Sequence, residues 1–192
     1  MKLILFDFDG TLTTEDSFIA FLHFTTTKRQ FNLALAKFFL KLVAYKMNLY
    51  KGEKLKREIL SFFFKGFSEK KLKQLGRIYN TKVIPSIIRK EIMNQLLQFQ
   101  KEGDKIGVVS ASLDIWLKPF CNDLKIDCIC TEMEFIDKKY TGQFSTPNCN
   151  FEQKSIRVQH FYNLEDYDEV IVYGNSKGDR SLFELADRKV KV

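Results

Sequence analysis

The first residues of the chain carry the feature that most restricts its fold, a short apolar run ending in two acidic residues. Residues 3–6 (LILF), together with Phe8, show no helical periodicity and stop at Gly10, which is typical of a buried strand leading into a turn. Alternate side chains of a strand share one side, so Asp7 and Asp9 lie together at its carboxyl end, where open parallel sheets bind ligands. Because two close like charges repel, the pair predicts a divalent metal or a shared proton.

The rest of the chain alternates between strand-like and helical segments. Such alternation predicts an α/β protein with a mainly parallel sheet covered by helices on both faces. The predicted strands are 105–110, 126–131, 169–173 and 189–192, the predicted helices are 113–124, 151–163 and 180–186, and a small hairpin is predicted at 134–144, turning at Asp137 and Lys138.

A long helical stretch separates the first strand from the second. Amphipathic patterns follow one another through residues 18–83, and a further helix is predicted from Pro85 to near Gly103, because proline favours the first turn of a helix. We therefore expect an all-helical cap at 18–83, inserted into a core domain formed by 1–17 and 84–192.

The segment 30–50 within this cap is unusually apolar. Lys37, Lys41 and Lys46 form a narrow basic stripe on it, and they interrupt it too often for a bilayer span, which needs ~20 mostly apolar residues. Two interpretations stay open for this segment. It is either buried in a helical bundle or lies flat on a membrane surface with its lysines among the headgroups.

Charge and cysteine spacing limit the partners. The chain of 192 residues carries a formal charge of +7, which favours anionic partners: phosphorylated metabolites, lipid phosphates, an acidic membrane surface or nucleic acid. No arginine-rich arm or nucleic-acid motif is present, so nucleic acid is not expected.

The cysteines lack paired CxxC spacing, so reduced thiols in a cytoplasmic protein are expected rather than zinc. No signal peptide is expected before the first apolar run. The cysteines are Cys121, Cys128, Cys130 and Cys149.

Three later segments add polar groups at predicted strand ends. Ser110 ends a strand just before a helix, and with Ala111 it leaves backbone amides open to an anion. Lys154 lies in the first turn of a predicted helix, and the loop at 173–179 (YGNSKGD) contains glycine and acid. Taken singly, a strand-end serine is an ordinary helix cap and such a lysine is most often solvated.

In this order, these segments resemble the motifs of a known family. Residues 7–13 (DFDGTLT) are similar to the opening motif of the haloacid dehalogenase superfamily, and Asp16-Ser17 fits its subfamily IB, the phosphoserine-phosphatase-like branch. Segments 108–112, 147–154 and 173–179 resemble the second, third and fourth motifs. The resemblance implies a Rossmann-like core with an inserted cap, and a magnesium-dependent phosphatase that works through an aspartyl phosphate.

The resemblance also implies roles for single residues. Asp7 would be the nucleophile and Asp9 the general acid and base, while Ser110, Ala111 and Lys154 would hold the phosphoryl group. Magnesium would be bound at Asp7, Asp9, Asn175 and Asp179.

One of these positions departs from the family pattern. Asn175 stands where an aspartate is commoner in the fourth motif. Its amide oxygen can still bind magnesium, but the site then has one negative charge fewer.

The substrate depends on the cap, because the core residues recognise only phosphate. In phosphoserine phosphatases an acid and an arginine meet the amino acid, and Asp16 and Arg57 are the candidates here. The apolar segment 30–50 favours instead a lipid phosphate, as in a related branch that acts on phosphatidylglycerophosphate. Further alternatives are a pseudoenzyme that binds phosphorylated ligands without turnover, and a phosphotransferase.

Overall fold

A computed structural model describes all residues, 1–192, and its centre is a five-stranded parallel sheet. Its strands are β1 (Leu3–Phe6), β2 (Lys105–Leu113), β3 (Asp127–Thr131), β6 (Val170–Gly174) and β7 (Arg188–Lys191). A separate antiparallel hairpin consists of β4 (Met133–Ile136) and β5 (Lys139–Phe144). The order β3-β2-β1-β6-β7 places the first strand at the middle of the sheet.

The register of β1 aligns the strand ends that carry the predicted site. Phe6 pairs with Val108 on β2 and with Tyr173 on β6. The residues that follow each of these positions therefore lie along one edge of the sheet. All four side chains of β1 are fully buried, as expected for a strand covered on both faces.

Helices cover the two faces of the sheet. Ile4 and Phe6 pack in one apolar cluster and Leu3 and Leu5 in another, because successive strand side chains point to opposite faces. Residues of α6 (Lys90–Lys101) and α7 (Asp114–Leu124) contribute to the first cluster, and residues of α8 (Glu152–Phe161) and α9 (Arg180–Glu184) to the second. The predicted fold class is confirmed.

The helical insertion lies between β1 and β2. It contains α1 (Ser17–Thr25), α2 (Lys28–Lys46), α3 (Gly52–Phe64) and α4 (Glu69–Lys82), followed by the short α5 (Ile84–Ile87). Asp16 caps α1 and Ser68 caps α4 through side-chain oxygens that accept backbone amides. The hairpin turns at Asp137 and Lys138 as predicted, and its strand β5 packs against α3. The cap and core boundaries drawn from the sequence stay a prediction.

The helix predicted from Pro85 to near Gly103 is interrupted. After α5 the chain is extended at Ile88, which forms a β-bridge with Thr13. The Arg89 N–H then donates to the Leu12 carbonyl before α6 begins. This pairing between two distant segments uses backbone groups that a continuous helix would have used. It also connects the helical insertion to the first motif.

Helix α2 is covered on one side only. Ala34 and Phe38 are buried against Leu55 of α3, whereas its other large apolar side chains are mostly exposed. The interpretation that segment 30–50 is buried in a helical bundle therefore applies to only one face of α2. None of the chain's helices combines the length and apolarity that crossing a bilayer would require.

Candidate functional site

Two acids and one lysine meet at the carboxyl end of the sheet. The Lys154 ammonium lies 2.6 Å from Asp7 Oδ1 and 2.5 Å from Asp179 Oδ1. All three residues are at most 5% exposed. The opening strand, the third motif and the fourth motif are therefore joined by charge-assisted hydrogen bonds within one buried cluster. We call Asp7, Lys154 and Asp179 the acid–lysine cluster.

Backbone geometry fixes each member of this cluster. The Asp7 N–H donates to the Tyr173 carbonyl at 2.9 Å, which continues the β1–β6 pairing by one residue. Lys154 lies in the first turn of α8, just after Phe151, whose φ is +50°. Asp179 follows β6 in a loop that folds back on it. The three side chains converge because their strand ends and helix start share one edge of the sheet.

Burial and charge shift the pKa values of these groups in different directions. Burial raises the pKa of Asp7 to about 6, although the Lys154 charge partly offsets it. Burial also opposes ionisation of Asp179, but the charge and hydrogen bond of Lys154 outweigh it and hold its pKa below the usual value. Burial disfavours the charged form of Lys154, yet the two carboxylates raise its pKa above the usual value. The lysine is therefore held as a cation.

Asp9 is held by separate contacts on the cap side. Its Oδ1 accepts the Ser17 N–H at 2.7 Å, and its Oδ2 accepts the Ser112 hydroxyl at 2.6 Å. The Ser17 and Ser112 hydroxyls lie 2.8 Å apart, and the Ser112 N–H donates to Ser110 Oγ at 3.1 Å. The two predicted site residues Asp9 and Ser110 are thus joined through Ser112, which sequence reasoning missed. Its position two residues after Ser110 was the available signal.

The turn that follows the two aspartates depends on a glycine. Gly10 has φ +79°, and a Cβ there would lie 2.0 Å from the Asn175 amide nitrogen. A side chain is therefore excluded both by the backbone conformation and by the close approach of Asn175. Arg89, also missed from the sequence, donates to the Gly10 and Thr11 carbonyls at 3.2 and 3.3 Å. Asn175 and Arg89 therefore both contact the turn of the first motif.

Oxygen atoms suited to magnesium remain free beside this turn. Asp7 Oδ2 has only a long contact, 3.5 Å from the Thr11 hydroxyl, and the Asn175 side chain lies against Gly10. Nowhere in the structure do three or more His, Cys, Asp or Glu side chains gather as ligands, so a cation here would also need amide, carbonyl or water oxygens. Magnesium accepts such a set, so the residues fit it.

The predicted metal ligand Asp179 is already engaged. Its Oδ1 accepts Lys154, and its Oδ2 accepts the Asn175 and Ser176 N–H groups and the Ser176 hydroxyl at 2.8 to 3.2 Å. These contacts make Asp179 the residue that holds Lys154 and shapes the fourth-motif loop. Its direct bond to a metal stays a prediction.

Two neighbouring cations of α3, Lys56 and the predicted Arg57, have different contacts, and the role predicted for Arg57 stays a prediction. Lys56 of α3 donates to the Ala111 carbonyl at 2.6 Å. Burial lowers the pKa of this half-buried lysine, while the charges of Asp9 and Asp16 oppose that shift. Arg57 instead donates to Gln143 at 3.0 Å and approaches Glu53, and none of its contacts reaches Asp9 or Asp16. Lys56, which sequence reasoning missed, therefore lies next to the predicted Arg57 in the sequence.

Asp16 lies between the cap and the first motif. Its Oδ1 caps α1 by accepting the Phe18 and Ile19 N–H groups at 2.9 and 3.0 Å. Partial desolvation by surrounding atoms raises its pKa, and the nearby charge of Asp9 adds to the effect. Asp16, Asp9 and Lys56 thus form a second charged group on the cap side of the acid–lysine cluster.

Comparison with known families decides the classification. The model of haloacid dehalogenase-like hydrolases matches residues 4–184. The chain belongs to this family. The match covers all four motif segments, so the predicted superfamily and hydrolase class are confirmed.

Known proteins with the same fold include phosphatases. Protein CicA of Caulobacter vibrioides is 29% identical over 97% of this chain and 84% of its own length. A protein of unknown function from Bordetella pertussis Tohama I has a TM-score of 0.84 at 22% identity, covering 99% of this chain and 89% of that one. A phosphoserine phosphatase solved with substrate bound has a TM-score of 0.67 at 19% identity, with coverages of 99% and 85%. These structural likenesses show the phosphoserine-phosphatase-like fold.

Proposed function

We propose that this hydrolase is a magnesium-dependent phosphatase that cleaves a phosphate monoester through an aspartyl phosphate on Asp7. The acid–lysine cluster is the observation that carries the proposal. It holds one oxygen of a buried carboxylate against a fixed cation and leaves the other oxygen, Asp7 Oδ2, with a single long contact. A positioned nucleophile beside fixed positive charge is what phosphoryl transfer requires.

In the first step an oxygen of the Asp7 carboxylate forms a bond to phosphorus as the bond to the leaving alcohol breaks. The alcohol oxygen takes a proton from Asp9, whose carboxyl group is oriented by Ser17 and Ser112. Lys154 and the amides near Ser110 and Ala111 meet the negative charge on the phosphoryl oxygens. In the second step a water molecule gives its proton to Asp9 and cleaves the acyl phosphate, which releases phosphate and restores Asp7.

Magnesium bound by Asp7, the Asp9 carbonyl and Asn175 would neutralise further charge on the phosphoryl group. Asn175 lowers the negative charge of this set, so we expect weaker binding of magnesium than with an aspartate. Asn175→Asp should therefore lower the magnesium concentration needed for half-maximal activity. Equal magnesium dependence in the two proteins would remove Asn175 from the site.

Hydrolysis of an aryl phosphate with magnesium tests the reaction itself. Asp7→Asn should abolish turnover, by at least ~10³-fold, while the fold persists, because the neutral amide suits a buried position. Asp137→Asn, in the exposed hairpin turn, is the matched control and should be fully active. If Asp7→Asn kept near-normal turnover, or if a chelator left activity unchanged, the proposal would be wrong. Binding of phosphate esters without turnover in the wild type would favour the pseudoenzyme.

The natural substrate should carry a second charged group that meets the cap. Lys56 offers a cation and Asp16 a carboxylate close to Asp9, which suits a small phosphorylated metabolite with both charges, such as phosphoserine. Lys56→Met should raise KM for such a substrate about tenfold with little change in kcat, since a charged hydrogen bond contributes 1.5–3 kcal/mol. Arg57→Met is the neighbouring control, and a larger KM effect there would favour Arg57.

A lipid phosphate is the second candidate substrate, and the exposed apolar face of α2 supports it. A lipid substrate would bring its own apolar chains to that face. Comparing turnover of phosphoserine with that of a lipid phosphate in detergent distinguishes the two candidates.

A further inference from the structure

Helix α2 presents a continuous apolar face to solvent. Leu33, Ala36, Leu40, Val43 and Met47, just past the helix end, follow alternating steps of three and four residues. This spacing aligns them along one side of a helix. All five are exposed, Leu40 by 78%. Phe39 widens the same side and is also exposed. We call this side of the helix the outer face of α2.

The outer face is bordered by positive charge alone. Helix α2 contains four lysines and one arginine and no acidic residue. By helical geometry, Lys46 borders the outer face on one side and Lys37 on the other. Both are exposed. An apolar strip with a lysine on each side has the pattern of a helix that lies in the interface of a bilayer, with its lysine stems reaching the headgroups.

A basic groove adjoins this face on the cap. It has a volume of about 450 Å³ and lies between α2, α3 and the hairpin strand β5. Four cations line it against a single acid, Glu58, which already accepts Lys41 and Tyr50. The cations are Lys37, Lys41, Lys54 and Arg57. Lys37 belongs to both regions, and its ammonium lies 4.4 Å from the centre of the Phe62 ring.

We propose that the outer face of α2 docks this protein on an anionic lipid bilayer, with the adjoining groove receiving a lipid headgroup phosphate. Charge favours this occupant over a second copy of the chain. Of the five cations on each helix only Lys41 has an acidic partner, so two copies of α2 packed on each other would bring like charges together, whereas anionic lipid attracts the unpaired cations. The proposal does not depend on the phosphatase reaction, because docking is measured without turnover.

Sedimentation with vesicles tests the docking. The full chain should sediment with vesicles of phosphatidylcholine containing one-third phosphatidylglycerol, and far less with pure phosphatidylcholine. High salt should weaken binding, since exposed charges are screened. Leu40→Glu should bind at least ~10-fold more weakly, because it places a charge where an apolar side chain is buried in lipid. Lys46→Glu should also bind more weakly, by about fivefold or more, since each cation near the surface contributes ~1 kcal/mol.

Ile136→Glu is the matched control, because Ile136 is 60% exposed on the hairpin, outside α2. It should sediment like the wild type. Circular dichroism of each variant establishes that the fold persists, and Leu40 makes no buried contact that the substitution would remove. The proposal is overturned if the wild type stays in the supernatant with anionic vesicles, or if Leu40→Glu and Ile136→Glu bind alike. A dimer in solution that Leu40→Glu dissociates, without vesicle binding, would assign the face to a second copy.

Discussion

The acid–lysine cluster and the outer face of α2 reverse the usual distribution of residues in opposite ways. The cluster buries three charged side chains almost completely, whereas α2 exposes large apolar side chains such as Phe39 and Leu40. Proteins normally do neither without compensation. In the cluster, the compensation lies within the chain, because every charge has a partner of opposite sign. No side chain of the protein covers the apolar residues of the outer face of α2.

This difference indicates where each region obtains its stability. The cluster depends on internal pairing, so removing its only cation, which leaves two buried carboxylates unpaired, should destabilise the fold. The outer face of α2 contributes little to the folded monomer, so changing it should affect association and leave stability unchanged.

Lys154→Met should destabilise the protein by roughly 3–5 kcal/mol, since it leaves two buried carboxylates without their cation. The pKa values of Asp7 and Asp179 then rise, so the loss should be greatest at alkaline pH and shrink as the pH falls and the acids become protonated. Urea unfolding at several pH values measures this. Lys177→Met, an exposed lysine of the fourth-motif loop, is the control and should change stability little.

Two adjacent phenylalanines of α2 provide the sharpest comparison of its faces. Phe38 is 5% exposed and packs with Leu55, whereas Phe39 is 61% exposed. Phe38→Ala should cost roughly 3 kcal/mol through the lost burial and the cavity left behind, while Phe39→Ala should stay within about 0.5 kcal/mol. Chemical unfolding of both variants measures the difference. Equal losses would mean that the outer face is covered in the folded protein.

Asp114 provides a buried acid without a dedicated cation. Its Oδ1 accepts the Met133 N–H, and burial raises its pKa from 3.8 to about 6. The folded state therefore binds this proton more tightly than the unfolded state, so its contribution to stability is greatest below about pH 4 and is lost as the pH rises to about 6. Asp114→Asn keeps the acceptor oxygen and should remove that loss, which is on the order of 1–3 kcal/mol.

Unfolding of wild type and Asp114→Asn between acidic and neutral pH checks the sign. The variant should gain relative stability as the pH rises and reach a constant difference above about pH 6. A difference that is independent of pH would show that the pKa of Asp114 is the same in the folded and unfolded states.

Local pattern predicted the residues that lie at strand ends and helix starts. Asp7 and Asp9 follow an apolar strand and Lys154 starts a helix, so their placement needs only the strand and helix periods. Ser110 lies within β2, which continues to Leu113 instead of ending at Ser110 as predicted. Ser112 and Arg89 were missed because their contacts join segments far apart in the chain. Lys56 was missed in favour of Arg57 because consecutive helical residues point about 100° apart, and only the packing of α3 decides which one faces the site.

The sequence by itself determined the central strand, the parallel α/β fold and the charged residues at its carboxyl edge, since each follows from periodicity within a few residues. Only the tertiary structure decided which oxygen of each acid is occupied, which cap cation faces Asp9 and Asp16, and which face of α2 stays uncovered. Those features depend on side chains that approach across long stretches of chain, and their energies come from packing and charge pairing in three dimensions.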